Sequence, residues 1–268
     1  MCIRDRKYID QKLQEFSLTD SRPSSIPVDP GYQKRQEVDV LMSNKDVYRR
    51  AIGSLLYLST NTRPDIAVGT SILSRRVENP READWVEVKR IFRYLKGTRH
   101  KKLLLGVTSE KENINLIVYV DADWGGDVID RKSNTGYCIK FMGSTITWTS
   151  RKQSLVTLSS TEAEYVALSE AMKETLWLRR LMKDFNQDIP QSITVFEDNQ
   201  NCIRLLRDQR SMSRTKHIDI KYNFVRDLYQ SKDIDIQYCP SEHMIADLLT
   251  KPLEYVKIRQ LSNDIGLV

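Results

Sequence analysis

The 268-residue sequence lacks three features that would each assign it to a particular class of protein. No run approaches the ~18 consecutive apolar residues of a membrane-spanning helix, so we expect no membrane partner. The four cysteines are scattered, without a C-x-x-C pair, which favours core positions in a reducing compartment over a secreted disulfide framework. The first residues, MCIRDR, carry no apolar segment typical of a signal peptide. What remains is an ordinary globular composition, with 40% hydrophobic and 29% charged residues.

Positive charge is concentrated in the N-terminal part of the chain. Residues 1–106 carry 21 Lys and Arg against 13 Asp and Glu, whereas residues 107–268 carry 21 against 23. A surplus of this kind suits a polyanion, because each phosphate that is neutralised releases counterions. An ordinary solvated surface is the alternative that composition leaves open.

The hydrophobic period changes along the chain and divides it into three parts. Residues 16–47, rich in proline and polar residues, predict an extended connector, and residues 48–104 predict a small helical module. From residue 113 onward, apolar runs and amphipathic stretches follow one another in the order βββαβααβα. This order predicts an α/β fold in which a mixed five-stranded sheet is flanked by helices.

Two aspartates follow apolar runs that should form central strands. Asp121 ends "NINLIVYVD" and Asp198 ends "SITVFED", and the ends of strands are where open α/β sheets form ligand-binding crevices. Asp198 also precedes a predicted helix, so a helix N-cap is an alternative role for it.

Two further acids lie on predicted helices. Steps of three and four residues from Glu164 reach Ala167, Leu168 and Ala171, so we expect this carboxylate to face the sheet, whereas Glu162 fits a solvated first turn. Asp247 lies in "SEHMIADLLTK", predicted as a last helix, where an exposed position is the alternative. Three or four carboxylates meeting at one sheet edge would repel one another and would suit hard divalent cations. Two such ions can drive phosphoryl displacement, which makes nucleic-acid hydrolysis the natural candidate.

Several long motifs occur in an order that resembles one family. "YVDADWGGDVIDRKSNTGYCIKF", "SSTEAEYVAL", "EDNQNCI", "SRTKHIDIKYNFVRD" and "HMIADLLTKPL" are similar to the ribonuclease H domain at the C-terminal end of copia-type LTR-retrotransposon Pol polyproteins. Upstream, "YRRAIGSLLYLSTNTRPDIA" and "WVEVKRIFRYLKGT" resemble the thumb and connection end of the reverse transcriptase. The resemblance implies a reverse-transcriptase remnant over residues 1–106 and a ribonuclease H-like domain over residues 107–268.

For the site, the resemblance implies two Mg²⁺ ions, with Mn²⁺ as a substitute, bound by Asp121, Glu164, Asp198 and Asp247. Asp121 would bridge both ions, and the activity would be hydrolysis of the RNA strand of RNA/DNA hybrids, leaving a 3′-hydroxyl and a 5′-phosphate. Asp123, two residues after Asp121 on the same strand face, is the alternative first ligand. His243 could assist product release, but its spacing favours a surface position.

Contacts with the hybrid are expected from cations near loops and helix starts, since such side chains suit backbone phosphates. The residues are Arg151, Lys152, Arg214, Lys216 and His217. Ordinary solvated charge is the alternative. Trp124, Trp148 and Trp177 could stack on sugars or bases, although aromatic side chains more often fill a core.

The Y-x-D-D motif of copia-type polymerases is missing from this sequence, so we expect no polymerase site here. We also expect the chain to be a fragment of a longer Pol, in which the odd N-terminal hexapeptide is a broken start. Upstream reverse transcriptase would be the partner. The resemblance implies a cytoplasmic location, in the virus-like particle of an intact element, with the nucleus as alternative and no secretion. Two other functions stay open: a transposase or integrase core, which orders its acids differently, and a catalytically silent hybrid-binding remnant.

Overall fold

The computed structural model describes residues 2–3, 5–34, 40–106, 115–187, 191–207 and 216–268. In chain order its strands and helices are β1 (Cys2–Ile3), α1 (Arg6–Glu15), α2 (Lys45–Asn61), α3 (Ala67–Ser74), α4 (Glu82–Gly97), β2 (Leu103–Leu104), β3 (Leu116–Asp123), β4 (Asn134–Phe141), β5 (Ser144–Lys152), α5 (Ser160–Asp184), β6 (Ile193–Glu197), α6 (Gln200–Arg207), α7 (Lys216–Gln230), β7 (Ile234–Tyr238), α8 (Asp247–Thr250) and α9 (Tyr255–Asp264).

The chain divides into two compact units. One consists of Met1–Leu104 and Lys251–Val268, and the other is Leu105–Thr250. The predicted second domain ran to residue 268, whereas the last residues pack in the first unit. Hydrogen bonds of Leu104 and Lys102 with Gly266 and Val268 hold this C-terminal segment there. The assignment of the first unit to a reverse-transcriptase remnant stays a prediction.

The first unit is largely helical, as the 3.6-residue period of residues 48–104 predicted. Its core is built from α2, α3 and α4, with fully buried side chains such as Tyr48, Leu55 and Phe92. The prediction of an extended connector over residues 16–47 was wrong for part of it. Val28 is buried, and the hydroxyl of Tyr32 donates to the carboxylate of Asp84 on α4, so this stretch is packed against the helices.

The second unit contains the mixed five-stranded sheet, in the order β5-β4-β3-β6-β7. Strands β3, β4 and β5 form an antiparallel meander, and β6 and β7 join it in parallel with β3. Met142 and Gly143 connect β4 to β5 with positive φ angles at both positions, the geometry of a tight hairpin. This strand order and these directions confirm the predicted ribonuclease H-like architecture.

Helices cover the two faces of the sheet. Alternate residues of β3, Leu116, Val118 and Val120, pack with Ala167, Leu168 and other residues of α5 in the main core. On the opposite face, Tyr119 and Phe196 stack on each other and pack with Cys239, Met244 and Ala246. Among the described residues, no helix is long and apolar enough to cross a membrane.

Candidate metal centre

Three of the four predicted acids come together in the second unit. Asp121, Glu164 and Asp198 each offer a carboxylate oxygen, and these atoms lie within 4.8 Å of one another. The three residues are hereafter the carboxylate cluster. Asp121 and Glu164 are almost fully buried, at 3% and 4% exposure, and Asp198 is half-buried. The prediction that Glu164 faces inward is therefore confirmed.

Two parallel strands and one helix start bring these acids together. Because β3 and β6 run in the same direction, their C-terminal ends lie at the same edge of the sheet. Asp121 lies near the end of β3, and Asp198 directly follows β6. Glu164 lies in the second turn of α5, whose N-terminus is capped by Ser159, with Oγ accepting from the amide of Glu162 at 3.2 Å.

Asp247 is buried but lies outside the carboxylate cluster. It is 1% exposed, so the alternative of an exposed helical aspartate was wrong. The predicted helix over residues 241–251 is also much shorter than expected, because only Asp247–Thr250 is α-helical. The negative charges of Asp198 and Asp247 both raise the pKa of Cys239, after the larger effect of burial, which indicates that both acids lie near this thiol.

Helix α8 packs against the sheet and supplies a direct contact to the cluster. The hydroxyl of Thr250 donates to Oδ2 of Asp121, and both groups are buried. Gly136, paired with Asp121 across β3 and β4, leaves room for the helix, since a Cβ there would lie 2.5 Å from Cγ2 of Thr250. Asn134 Nδ2 donates to the carbonyl of Thr250 at 3.3 Å and helps to hold it.

A residue from a distant part of the chain orients Asp198. Its Oδ2 accepts a hydrogen bond of 2.7 Å from the hydroxyl of Ser241. The alternative that Asp198 caps α6 was wrong, because the side chain of Asn199 takes that role, accepting from the amide of Cys202 at 3.0 Å. The carboxylate of Asp198 therefore does not cap the helix and lies with those of Asp121 and Glu164.

Two groups beside the carboxylate cluster, Glu197 and Cys202, have raised pKa values. Burial raises the pKa of Glu197 well above its usual value, and the charges of Asp198 and Asp121 raise it further, against the opposing effect of the amides of Asn199 and Asp198. Burial likewise raises the pKa of the Cys202 thiol, with added effects of Glu197, Glu164 and Asp198. Negative charge concentrated in this way favours a cation.

The structure decides between the roles that the sequence left open for Asp123, Glu162 and His243. Asp123 ends β3 on the same face as Asp121, but it is not part of the group of converging oxygen atoms. Glu162 accepts a hydrogen bond from the amide of Leu158 at 2.7 Å, in keeping with its predicted place in the first turn of α5. His243 is largely exposed, next to Glu242 at 3.6 Å, as its spacing predicted.

The cationic side chains predicted to contact nucleic acid lie in different environments. Arg151 is exposed on β5, whereas the ammonium of Lys152 pairs with Asp127 and Asp130 at 3.0 Å and 2.8 Å and so holds the segment that follows β3. Arg214 lies outside the described residues. Lys216 and His217 begin α7, but their side chains are also outside the described part.

The tryptophans are less buried than a core role would require. Trp124 is 49% and Trp177 is 54% exposed, so the core interpretation was wrong for these two. The indole of Trp124 donates to the carbonyl of Thr157 at 3.1 Å, which joins the segment after β3 to the loop before α5. Trp124 therefore lies between the elements that carry Asp121 and Glu164.

Sequence reasoning missed two residues of the site, Glu197 and Thr250. Glu197 is fully buried, with Oε1 accepting from the amide of Asn199 at 3.0 Å. Because Glu197 alternates with Ile193 and Val195 along the strand, the sequence indicated that its carboxyl group faces the core. Thr250 follows Asp247 by three residues, which is one helical turn, and that spacing could have associated it with the acids.

The donor set fits a hard divalent cation. Every side chain of the cluster is a carboxylate, and oxygen-only ligands suit Mg²⁺ or Mn²⁺ far better than softer metals, which favour imidazole or thiolate. Burial raises the pKa values of the nearby Cys202 and Cys239 thiols, and neither thiol is among the converging ligand atoms of the described residues. The residues present therefore fit a magnesium or manganese site.

Comparison with known proteins gives no matching family model. Among solved structures, the chain is similar to the N-terminal RNase H domain of a Mycobacterium tuberculosis protein, solved as a fusion with maltose-binding protein. The two are 12% identical, with 56% of this chain and 98% of that one covered and a TM-score of 0.40. The fold assignment rests instead on the strand order and directions given above.

Curated relatives are closer in sequence. The chain is 34% identical over 272 residues to the retrovirus-related Pol polyprotein from transposon TNT 1-94 of Nicotiana tabacum, covering 99% of this chain and 20% of the relative. It is 31% identical over 265 residues to that from transposon RE1 of Arabidopsis thaliana, covering 99% of this chain and 18% of the relative. The chain thus spans about a fifth of the length of these relatives. It belongs to the Pol polyprotein family of copia-type retrotransposons, of which it represents one segment.

Proposed function

We propose that the chain is a metal-dependent endonuclease that hydrolyses the RNA strand of RNA/DNA hybrids during retrotransposon reverse transcription. One observation carries the proposal: three carboxylates from three separate elements offer oxygen atoms within 4.8 Å of one another at one end of the sheet. Membership of the Pol polyprotein family supports the same function, because those proteins are named as retrovirus-related. The upstream reverse transcriptase of an intact polyprotein would be the partner.

Asp121, Glu164, Asp198 and Asp247 would hold two Mg²⁺ ions, with Mn²⁺ as a substitute. Such a pair of ions, when bound, supplies an activated water and stabilises the leaving oxygen of a phosphodiester. The chain's own contribution is to hold its acids in place before substrate arrives. Thr250 fixes one oxygen of Asp121 and Ser241 fixes one of Asp198, so little side-chain ordering remains to be done on binding.

The hybrid would lie across the surface that carries Arg151, with the phosphate backbone contacting this exposed cation. The ammonium of Lys152 is engaged by Asp127 and Asp130, so its proposed contribution is to hold the neighbouring segment. Half-exposed Trp124, joined to the loop before α5, offers an aromatic surface next to the acids. Contacts from Arg214, Lys216 and His217 stay predictions.

The test is cleavage of end-labelled RNA/DNA hybrid, duplex DNA and single-stranded RNA by the full chain in Mg²⁺. We expect cleavage of the RNA strand of the hybrid only. Glu164→Gln should lower the rate about a hundredfold or more, because a lost metal ligand costs several kcal/mol. Glu162→Gln is the matched control, two residues away on α5 with its hydrogen-bonding capacity kept, and should cleave normally.

Further variants separate the ligand assignments. Asp121→Asn should abolish cleavage, while Asp123→Asn should leave it largely intact; the reverse result would move the ligand role to Asp123. Nicking of duplex DNA alone would replace the proposal with a transposase-type activity. Hybrid binding without cleavage, unchanged by Asp198→Asn, would instead identify a catalytically silent hybrid-binding remnant.

A further inference from the structure

A cavity of about 500 Å³ lies in the unit formed by Met1–Leu104 and Lys251–Val268. It is formed where the C-terminal end of α4 and the residues after it meet helix α9. Its size falls in the range of about 300–1,000 Å³ that is usual for small-ligand sites. The proposed nuclease function makes no use of it.

The charged side chains that line this cavity are all basic. Lys101, Arg259 and His100 are among the lining residues, and none of the lining residues is an aspartate or glutamate. Among the described residues, no carboxylate forms an ion pair with Lys101 or Arg259. His100 and Arg259 are exposed, and Lys101 is half-buried. The side chains of Lys101 and Arg259 thus offer hydrogen-bond donors and positive charge to this cavity.

The positive charge of Lys101 is offset only in part, by the buried carboxylate of Asp65. Asp65 is the carboxylate whose charge favours protonated Lys101, but its two oxygens already accept from Arg63 at 2.9 Å and 2.7 Å and from Tyr94 at 2.7 Å. Burial lowers the pKa of Lys101, and the charges of Arg63 and Arg259 lower it further, against the favourable effect of Asp65. An anion between Lys101 and Arg259 would relieve their repulsion.

Part of the lining is aromatic or apolar. Tyr94 and Ile258 are buried at 3% exposure each, whereas Tyr255, at the start of α9, is 48% exposed. An exposed aromatic side chain next to cations is the combination that nucleic-acid-binding proteins use to stack a base while holding its phosphate. The positive surplus of residues 1–106 agrees with such a ligand, since it would draw polyanions to this unit.

We propose that this cavity binds a nucleotide through its phosphomonoester, with the phosphate between Lys101 and Arg259 and the base against Tyr255. A phosphomonoester carries close to two negative charges at neutral pH, which two cations match. The nucleotide can be the 5′-phosphorylated end of a strand or a free mononucleotide. The proposal goes beyond the nuclease function and stands independently of it.

The test measures binding of the full chain to a 3′-fluorescein-labelled single-stranded dT10 with a 5′-phosphate or a 5′-hydroxyl. EDTA is present throughout, so that metal at the carboxylate cluster makes no contribution. We expect the 5′-phosphorylated strand to bind about tenfold more tightly, because hydrogen bonds to charged groups are the strong ones. Lys101→Gln and Arg259→Gln should each remove most of that difference. Tyr255→Ala should weaken binding about fivefold or more, and Tyr255→Phe should not.

Matched controls are Lys89→Gln and Arg49→Gln, which remove one charge each at positions of the same unit outside the cavity. They should change the preference for the 5′-phosphate less than twofold. Thermal unfolding by circular dichroism checks that every variant is folded. Competition by dTMP at concentrations near the strand affinity would identify the free nucleotide as the ligand, and failure of dTMP to compete would identify the strand end. Equal binding of both strands without competition by dTMP, or equal losses in cavity and control variants, would overturn the proposal.

Discussion

Replacing Thr250 with valine would remove the hydroxyl that donates to Asp121 while keeping the shape of the side chain. Both residues are buried, so the lost hydrogen bond to a carboxylate is worth about 1.5–3 kcal/mol. The methyl group that takes its place recovers about 0.8 kcal/mol through its greater burial of apolar surface. We therefore expect a net loss of about 1–2 kcal/mol in the free energy of unfolding.

The matched control is Thr175→Val. Thr175 is equally buried, on α5, but its hydroxyl donates to the neutral carbonyl of Ala171 at 2.7 Å. A neutral hydrogen bond is worth about 0.5–1.5 kcal/mol, so after the same methyl gain the control should lose about 0–1 kcal/mol. Unfolding in urea would be followed by tryptophan fluorescence in a Trp85→Phe background. The three remaining tryptophans, Trp124, Trp148 and Trp177, all lie in the unit Leu105–Thr250.

The same variant should weaken metal binding, because Thr250 orients one of the proposed ligands. Loss of an outer partner of a metal ligand typically costs about 10–100-fold in affinity, and calorimetric titration with Mg²⁺ or Mn²⁺ would measure it. Thr250→Ser, which keeps the hydroxyl, should restore the affinity even if the missing methyl lowers stability. The reasoning is refuted if Thr250→Val binds metal within twofold of the wild type, or if its stability falls no further than that of Thr175→Val.

Three other outcomes can be checked. Gly136→Ala should lower the free energy of unfolding in urea by about 1–3 kcal/mol, because the new Cβ would lie 2.5 Å from Thr250 Cγ2. Gly53→Ala is the control: a Cβ there would have nothing within 4 Å, so this change should stabilise α2 by about 0.5–1 kcal/mol. Equal effects of the two changes would contradict the close approach of α8. Arg63→Met leaves Asp65 buried without its cation and should lower the free energy of thermal unfolding by about 3–5 kcal/mol. Arg49→Met, which breaks an exposed ion pair, should lower it by less than about 1 kcal/mol. In a Cys2→Ser background the native chain should not react with a thiol reagent at pH 8. The remaining cysteines, Cys138, Cys202 and Cys239, are buried, and burial raises the pKa of Cys138 to about 12. Rapid labelling without denaturant would show the burial to be wrong.

The local pattern of the sequence predicted most of the second unit because secondary structure depends on short-range periodicity. The apolar run before Asp121 formed β3, and the stripe through Glu164 formed the long helix α5 with that carboxylate buried. Where this periodicity was interrupted, prediction failed. The stretch around Asp247 reads as a helix of about three turns, yet backbone turns occupy most of it and only its last turn is α-helical.

Other misses concern partners that are distant along the chain. Lys152 is a plausible phosphate contact by its loop position, but Asp127 and Asp130 take up its charge once β5 pairs with β4. Thr250 reaches Asp121 across 129 residues of sequence, a contact that no local pattern contains. Residues 251–268 likewise read as a continuation of the second domain, because sequence proximity alone cannot show that they pack in the first unit.

By itself, the sequence determined the types of the elements and which acids were candidate metal ligands, since hydrophobic period and residue chemistry are properties of a few neighbouring residues. Only the tertiary structure decided which oxygen atoms meet. The parallel pairing of β3 with β6 and the start of α5 bring Asp121, Glu164 and Asp198 together, and leave Asp123 outside. Convergence of residues this far apart in the chain depends on strand register and helix packing, which are set by the whole core rather than by any one segment.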